Sequence, residues 1–327
     1  PVKLESGTLK SSGSPTISGA ITQSGDATIE VSTGQTLTYS GATVNVGASA
    51  LSINGGGTFT NDNPIQLSNA DSQVILSGIT VNYIRADVDS LGVEVDSLSV
   101  VNEFIVGHVT PVSILPDKSF SGEIYVFSNG NLQLNNTGTL SANVTMKGNA
   151  VASDTAGGKI EVQESMTFSG SLYQANAHNG IELSVASGKT MTYSGSEFKI
   201  DAHTFTLSGG GILDNTNNFV INESTSALAI SDSTKISYLS VSENGGLTIS
   251  DSDSSNNENV IGTLLLSNSL TISSDSAWGT DNITADTELT ITSDNDFTAG
   301  TLNLTGSADL SLGTDNITLN VTNPVTV

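Results

Sequence analysis

The chain contains no cysteine, a single arginine (Arg85), three histidines and six prolines among its 327 residues. Without cysteine it can form no disulfide, no thiolate metal ligand and no thiol nucleophile. Nine basic residues stand against 33 acidic ones, which gives a formal net charge of −24. Because phosphate contacts need clustered lysines and arginines, this charge predicts no binding to nucleic acid or to an anionic membrane surface.

Long apolar runs are also scarce, so the sequence predicts no membrane insertion. Apolar residues make up 36% of the chain and charged residues 13%, and Ser, Thr, Asn and Gly take much of the remainder. Such a composition can indicate disorder, but the apolar residues here alternate regularly with Thr, Ser and Asn. Alternation of this kind places apolar side chains on one face of a strand. The sequence therefore predicts an ordered, strand-rich protein with a thin core.

A long internal repeat is the strongest organisational signal. The segment Val31–Phe59 aligns without a gap with Val185–Leu213, and both contain the phrase Thr-Tyr-Ser-Gly and a Gly-Gly-Gly triplet. Repeats must be found before a fold is named, because they decide its architecture. We predict one copy over residues 1–155, a second over 156–311, and a terminal strand segment or the start of a further copy over 312–327.

A shorter period runs inside each copy. Apolar residues recur at steps of 22, and each step contains three short apolar–polar–apolar units separated by Gly, Asn, Asp or Ser. Three strands joined by tight turns predict a rung of about 22 residues, with equivalent residues of successive rungs stacked. The predicted inward ladders are Val31–Ile53–Ile75, Leu37–Phe59–Val81, Val185–Leu207 and Met191–Leu213.

These patterns favour an all-β, three-sided parallel β-helix, that is, a β-solenoid. The alternative is an array of Ig-like sandwiches, which a 22-residue period suits poorly. The segment Val88–Val100 has apolar residues at helical heptad positions, but we expect a strand there too. The Gly55–Gly57 and Gly209–Gly211 triplets adjoin no helix, so we expect turn glycines with positive φ rather than a phosphate-binding loop.

A family resemblance rests on the phrase Thr36–Asn61, TLTYSGATVNVGASALSINGGGTFTN. This phrase resembles the repeats of autotransporter passengers and filamentous-haemagglutinin-like surface adhesins and fibre proteins. The resemblance implies that the β-helix is right-handed, that the protein is secreted, and that it acts in adhesion, aggregation or matrix building.

Few residues suggest chemistry. Asp251 and Asp253 place two carboxylates one residue apart in an expected turn, and Asp294 and Asp296 do the same. Calcium is therefore the one metal ion that the sequence predicts, with these aspartates as its ligands. No other cofactor is expected. The histidines lack metal-ligand spacing, and no nucleophile motif is present, so we predict no catalytic residue and no enzyme. Arg85 lies in an acidic run with Asp87, Asp89, Glu94 and Asp96.

The predicted function is an extracellular structural surface protein of a prokaryote, which forms a rod or filament as a homopolymer joined through its ends. The alternative is an adhesin for a glycan or for a protein of a host or neighbouring cell, and an exposed aromatic cluster would favour it. Trp278 is the only tryptophan, and Tyr39 and Tyr193 are expected in the core or beside it. A β-helical polysaccharide-active enzyme is the third hypothesis.

Overall fold

The computed structural model describes residues 1–135, 138–147, 157–175, 181–200, 203–216, 218–243, 245–250, 258–267, 270–274, 278–285, 289–291, 297–304, 310–311 and 319–321. This part of the chain contains strands and turns and no helix, and every strand pair is parallel. The chain divides into two compact units: Pro1–Asn149 with Gly157–Ala175, and Ala150–Ala156 with Asn176–Val327. Each unit is a β-solenoid, as the sequence predicts.

The strands of the first unit are β1 (Val2–Leu4), β2 (Thr8–Ser11), β3 (Thr16–Ile17), β4 (Ile21–Gln23), β5 (Ala27–Val31), β6 (Thr36–Tyr39), β7 (Val44–Val46), β8 (Ala50–Asn54), β9 (Thr58–Asn61), β10 (Ile65–Leu67), β11 (Gln73–Ser77), β12 (Thr80–Ala86), β13 (Gly92–Val95), β14 (Ser99–Val106), β15 (Val109–Ile114), β16 (Ser119–Val126), β17 (Asn131–Leu134), β18 (Thr139–Leu140), β19 (Asn143–Lys147), β20 (Lys159–Val162), β21 (Met166–Phe168) and β22 (Leu172–Ala175).

The strands of the second unit are β23 (Ile181–Val185), β24 (Thr190–Tyr193), β25 (Phe198–Ile200), β26 (Thr204–Ser208), β27 (Ile212–Asn215), β28 (Phe219–Ile221), β29 (Ala227–Ser231), β30 (Lys235–Val241), β31 (Gly245–Ser250), β32 (Glu258–Leu266), β33 (Leu270–Ser274), β34 (Trp278–Ala285), β35 (Leu289–Ile291), β36 (Phe297–Leu304), β37 (Leu310–Ser311) and β38 (Leu319–Val321).

In the first unit, one strand of each rung joins a front sheet of β2, β5, β8, β11, β13, β15, β17 and β20, in that order. The back sheet begins as two columns, one through β6 and β9 and one through β7 and β10. Strand β12 pairs with β9 at its start and with β10 at its end, so two sides of the rung become one long strand. The second unit repeats this merger where β27 and β28 both pair with β30.

The inward ladder Leu37–Phe59–Val81 has the predicted register, and it continues to Val101. All four residues are at most 1% exposed, and the threonines between them lie on the outer face. In the second unit, Met191 pairs with Leu213, also as predicted. Each rung therefore buries its apolar residues against the rungs before and after it, which is how a repeat fold obtains its stability.

The predicted front-sheet ladders are wrong. Ile53 pairs with Ile29 and Leu76 instead of Val31 and Ile75, and Leu207 pairs with Leu183 instead of Val185. Partners in the front sheet are thus farther apart in sequence than partners in the back sheet of the same rungs. A uniform step along the chain misses this difference, because it arises in a corner between the two sheets.

The glycine triplets form that corner. Gly55 and Gly56 have φ angles of 109° and 78°, and Gly209 and Gly210 have 96° and 77°, as predicted, whereas Gly57 and Gly211 do not have positive φ. A Cβ atom at Gly55 would lie 2.4 Å from the carbonyl oxygen of Val31. Because glycine has no side chain, the triplet passes close to the preceding rung. It crosses the corner with fewer residues than the preceding rung uses at the same corner. The predicted strand near Val88–Val100 is confirmed as β13.

The two units repeat each other's polar contacts. The Tyr39 hydroxyl donates to the carbonyl of Ala42 at 2.6 Å, and the Tyr193 hydroxyl donates to that of Ser196 at 2.8 Å. Farther on, the units differ: Tyr83 pairs with Glu103 in the first unit, whereas Tyr238 pairs with Thr263 in the second. This rung of the second unit is longer than its counterpart in the first.

Candidate functional site

Outward-facing side chains of the first unit form a row across five neighbouring strands. Their backbone register aligns Arg85 in β12, Ile105 in β14, Tyr125 in β16, Thr145 in β19 and Tyr173 in β22. Neighbouring members are separated by the strand spacing of about 4.8 Å. We call these five residues the aromatic row, after its two tyrosines, Tyr125 and Tyr173. Tyr173 is 48% exposed, so the row includes an aromatic side chain that water reaches.

Lys147 and Phe127 extend the aromatic row on one side. The Nζ atom of Lys147 lies 4.2 Å from the centroid of the Tyr125 ring and 5.5 Å from that of Phe127. A cation held above an aromatic face is attracted by the ring quadrupole. Tyr83 lies on β12 two positions before Arg85. This side of the unit therefore contains three of the six tyrosines and the only arginine in the sequence.

A groove of about 240 Å³ opens where the row meets the corner after β12, β14 and β16. The residues that line it are Arg85, Asp87, Ile105, Gly107, Phe127, Ser128 and Asn129. Gly107 provides part of the space, because a Cβ atom there would lie 3.1 Å from the carbonyl oxygen of Ala86 and 3.4 Å from Oδ1 of Asp87. The groove thus has an apolar part and a rim of planar polar groups.

Arg85 is held in place at this groove. Its Nε atom donates to Oδ1 of Asp87 at 2.7 Å, and Nε2 of Gln66 donates to the second carboxylate oxygen at 3.1 Å. The hydrogen bond to Asp87 has the largest effect and raises the pKa of Arg85; burial opposes it, and contacts with Tyr83 add to it. Arg85 therefore stays charged, and its side chain remains 43% exposed.

The acidic run around Arg85 does not form one cluster. Asp87 belongs to the groove, and Asp89 lies 3.8 Å from Nδ1 of His108 at the neighbouring corner. Glu94 is on the front sheet, where burial, followed by its contacts with Asp96, raises the pKa of its carboxyl group. Within the residues that the structure describes, no three His, Cys, Asp or Glu side chains converge as metal ligands.

Several predicted features fall outside the described residues. All four aspartates of the calcium prediction (Asp251, Asp253, Asp294 and Asp296) lie there, as does His178, so that prediction stays untested. Trp278 is described only as a residue of β34, paired with Glu258. Tyr39 and Tyr193 are buried, as expected. Among the described residues, no helix could span a membrane.

The sequence reasoning missed Tyr125, Phe127, Lys147 and Tyr173 as members of a site. Each directly follows a residue that the apolar–polar alternation predicts to point inward, so its outward orientation could be predicted from the sequence. Their alignment across the strands could not be predicted, because the sequence separation between Tyr125 and Thr145 is much shorter than that between Thr145 and Tyr173.

Four described strands of the second unit pair as those of the first unit do, but they carry no arginine or aromatic residue at the matching row positions. Val241, Leu266, Ala285 and Leu304 pair in series as Ala86, Val106, Val126 and Met146 do in the first unit. The residues one position earlier in the second unit are Ser240, Leu265, Thr284 and Asn303. The fold therefore does not require an arginine or aromatic side chains at these positions.

No family model, curated protein or solved structure matches the chain.

Proposed function

We propose that the protein is an extracellular structural protein of a prokaryotic surface, whose stacked rungs form a stiff scaffold and whose copies join end to end. The observation that carries this proposal is the continuous inward ladder of each unit. On the front sheet of the first unit, Ile29, Ile53, Leu76, Val95 and Ile114 pair in series, and each is at most 1% exposed.

Such a ladder gives mechanical cohesion because each rung contacts mainly its neighbours, and the interface energies add along the stack. Burial of one large aliphatic side chain contributes roughly 1.5–3 kcal/mol. The outer faces present Thr, Ser and Asn, which keep the surface hydrated, and the net charge of −24 opposes side-by-side aggregation.

Joining through the ends follows from the geometry of a parallel rung. The backbone groups of a strand that faces outward along the stack are the same groups that pair within it. A second copy therefore offers a rung of matching shape, and strand addition would continue the hydrogen bonding. The partner in this proposal is another copy of the chain.

Electron microscopy of the purified full chain over a range of concentrations tests this proposal. We expect linear particles whose length increases with protein concentration, and resistance to protease in the assembled state. Labelling of intact source cells with an antibody to the chain checks the surface location. Monodisperse single chains at every concentration, together with labelling only after cell lysis, would rule out the proposal.

A second candidate function is that of an adhesin which binds a glycan through the aromatic row. The observation that favours it is that the four matching positions described in the second unit hold no arginine or aromatic residue, although the strands beneath them pair in the same way. Aromatic rings with a polar end are enriched in binding surfaces, and the row holds two of them, Tyr125 and Tyr173, of which Tyr173 is 48% exposed. A glycan array probed with the full chain distinguishes this function from a purely structural one, which predicts no binding.

A further inference from the structure

We infer that the groove beside Arg85 binds one pyranose unit of a neutral saccharide; this inference rests on the second candidate function and deepens it. The groove's volume of about 240 Å³ falls just below the range of pockets that hold drug-sized ligands, as expected for a smaller ligand. Its lining combines Ile105 and Phe127 with Arg85, Asp87 and Asn129.

The polar groups of the rim suit adjacent hydroxyl groups. A guanidinium offers several donors in one plane, a carboxylate offers acceptors, and an amide offers both. Each sugar hydroxyl both donates and accepts, so neighbouring hydroxyls can bridge such groups. The 2.7 Å hydrogen bond between Arg85 and Asp87 already orients both side chains. Binding of a ligand therefore costs little side-chain entropy at these two residues.

The apolar part of the groove suits the face of a sugar ring that carries C–H bonds. Ile105 is flanked in its row by Arg85 and Tyr125, and Phe127 lies one rung beyond Gly107. The glycine matters here because any side chain at position 107 would project toward Asp87, whose Oδ1 would lie 3.4 Å from the new Cβ atom. The space that Gly107 leaves open and the polar groups of Arg85 and Asp87 therefore lie together in the groove.

The electrostatics favour a neutral ligand. Arg85 and Asp87 form an ion pair, so they offset each other's charge. The ammonium group of Lys147 lies over the Tyr125 and Phe127 rings, so its charge is already engaged. The corner also carries Asp89 and the chain as a whole has a charge of −24, so an anionic sugar would be repelled.

The second unit supplies matched substitutions for a test. Ser240 corresponds to Arg85, Ser267 to Gly107 and Thr206 to Ser52. Arg85→Ser and Gly107→Ser alter the groove with residues that the same fold accommodates elsewhere. Ser52→Thr changes an outward residue of the front sheet, which belongs neither to the aromatic row nor to the groove, so it is the control.

Affinity electrophoresis of the full chain in gels that contain dextran, galactomannan or a soluble β-glucan measures binding to neutral polymers. Gels with polygalacturonate provide the acidic counterpart, and saturation-transfer NMR with methyl pyranosides tests single units. We expect the wild-type chain to bind at least one neutral polymer at low and high salt. Arg85→Ser and Gly107→Ser should each weaken this binding by about tenfold or more, because a hydrogen-bonding charged group or the required space is lost.

The outcomes separate the inference from the function beneath it. Unchanged binding by both groove variants, with melting temperatures equal to the wild type, would overturn the groove as the site and leave the adhesin candidate standing. Retardation only by the acidic polymer, lost at high salt, would overturn the neutral ligand. A wild-type chain that binds no saccharide would overturn both. Weakened binding by Ser52→Thr equal to that of the groove variants would also contradict the assignment.

Discussion

The side chain of Asn61 forms two hydrogen bonds with the backbone of Tyr83 in the next rung: Nδ2 donates to the carbonyl oxygen at 2.7 Å, and Oδ1 accepts from the amide at 3.2 Å. Asn215 does the same for Tyr238, at 2.9 Å and 3.1 Å. Asn61 is fully buried. In both units, an asparagine thus substitutes for strand pairing at the point where two sides of the solenoid merge into one strand.

Asn61→Ala should lower the free energy of unfolding by about 2 kcal/mol, because the amide and carbonyl of Tyr83, which are partly buried, would each lose their partner. Chemical denaturation of the full chain measures this change. Asn102→Ala is the control, since it removes an exposed donor to Asn82 and should cost about 0.5 kcal/mol. Equal losses for the two variants would contradict a special role for Asn61.

The register of the front sheet predicts opposite results for two adjacent residues. Leu76 is fully buried and pairs with Ile53, whereas Ile75 points outward and pairs with Ser52. Leu76→Ala should cost about 2–5 kcal/mol through lost burial and the resulting cavity. Ile75→Ala should cost about 1 kcal/mol or less. Thermal and denaturant unfolding of both variants compare them, and a larger loss for Ile75→Ala would favour the uniform register that the sequence spacing predicts.

The glycine corner predicts a difference in the stability cost of an alanine substitution at two glycines that both have positive φ. Gly34 has a φ of 73° and open space around a Cβ atom, whereas Gly55 has a φ of 109° and a carbonyl oxygen 2.4 Å away. Gly34→Ala should therefore cost about 1 kcal/mol of backbone strain alone. Gly55→Ala adds a clash with the preceding rung and should cost about 3 kcal/mol or more. Melting temperatures of the two variants test this, and similar values would show that the corner can widen.

Glu161 predicts how stability depends on pH. Burial alone would raise the pKa of its carboxyl group, but hydrogen bonds from Lys159, Asn131 and Gln133 outweigh burial and lower the pKa. Stability from a group with a lowered folded pKa is present above the unfolded pKa and disappears as the pH falls through the folded pKa. Glu161→Gln should therefore be less stable than the wild type above about pH 5, and the difference should shrink in more acidic solution.

Glu94 provides a control of opposite sign, because burial and Asp96 raise the pKa of its carboxyl group. Its charged form weakens the fold at neutral pH, so Glu94→Gln should be at least as stable as the wild type there. That advantage should fade as the pH drops through the raised folded pKa. Denaturant midpoints measured across the acidic range test both residues, and parallel curves for the two variants would contradict the assigned shifts.

Much of the fold was predictable from alternation and repetition. Leu37, Phe59 and Val81 stack as their spacing indicates, since each of these two turns takes 22 residues in all. The error at Val31 arose from the corner at Gly55–Gly57, where the chain crosses with fewer residues than the rung beneath it, and the error at Ile75 arose from the next corner, around Gly78, which is shorter again. Sequence spacing counts residues, whereas stacking depends on the path that the backbone takes, so periodicity alone could not locate this shift.

The candidate site was less predictable than the fold. Arg85 stood out as the only arginine, and its pairing with Asp87 follows from their proximity in sequence. Tyr125 and Tyr173 are distant in sequence and align only because two rungs of unequal length separate them. Outward residues carry no packing constraint that would fix their spacing. A surface row on a solenoid is therefore visible only once every register is known.

The closeness in sequence of paired strands has a consequence for how the protein folds. Val93 pairs with Val112, and Leu140 pairs with Phe168, so each strand finds its partner in the adjoining rung. Contacts between residues that are near in sequence cost little chain entropy to form, and a nascent chain can therefore add one turn as soon as the next rung has emerged. Folding can then proceed from one end in the order of synthesis, and each completed turn serves as the template for the next.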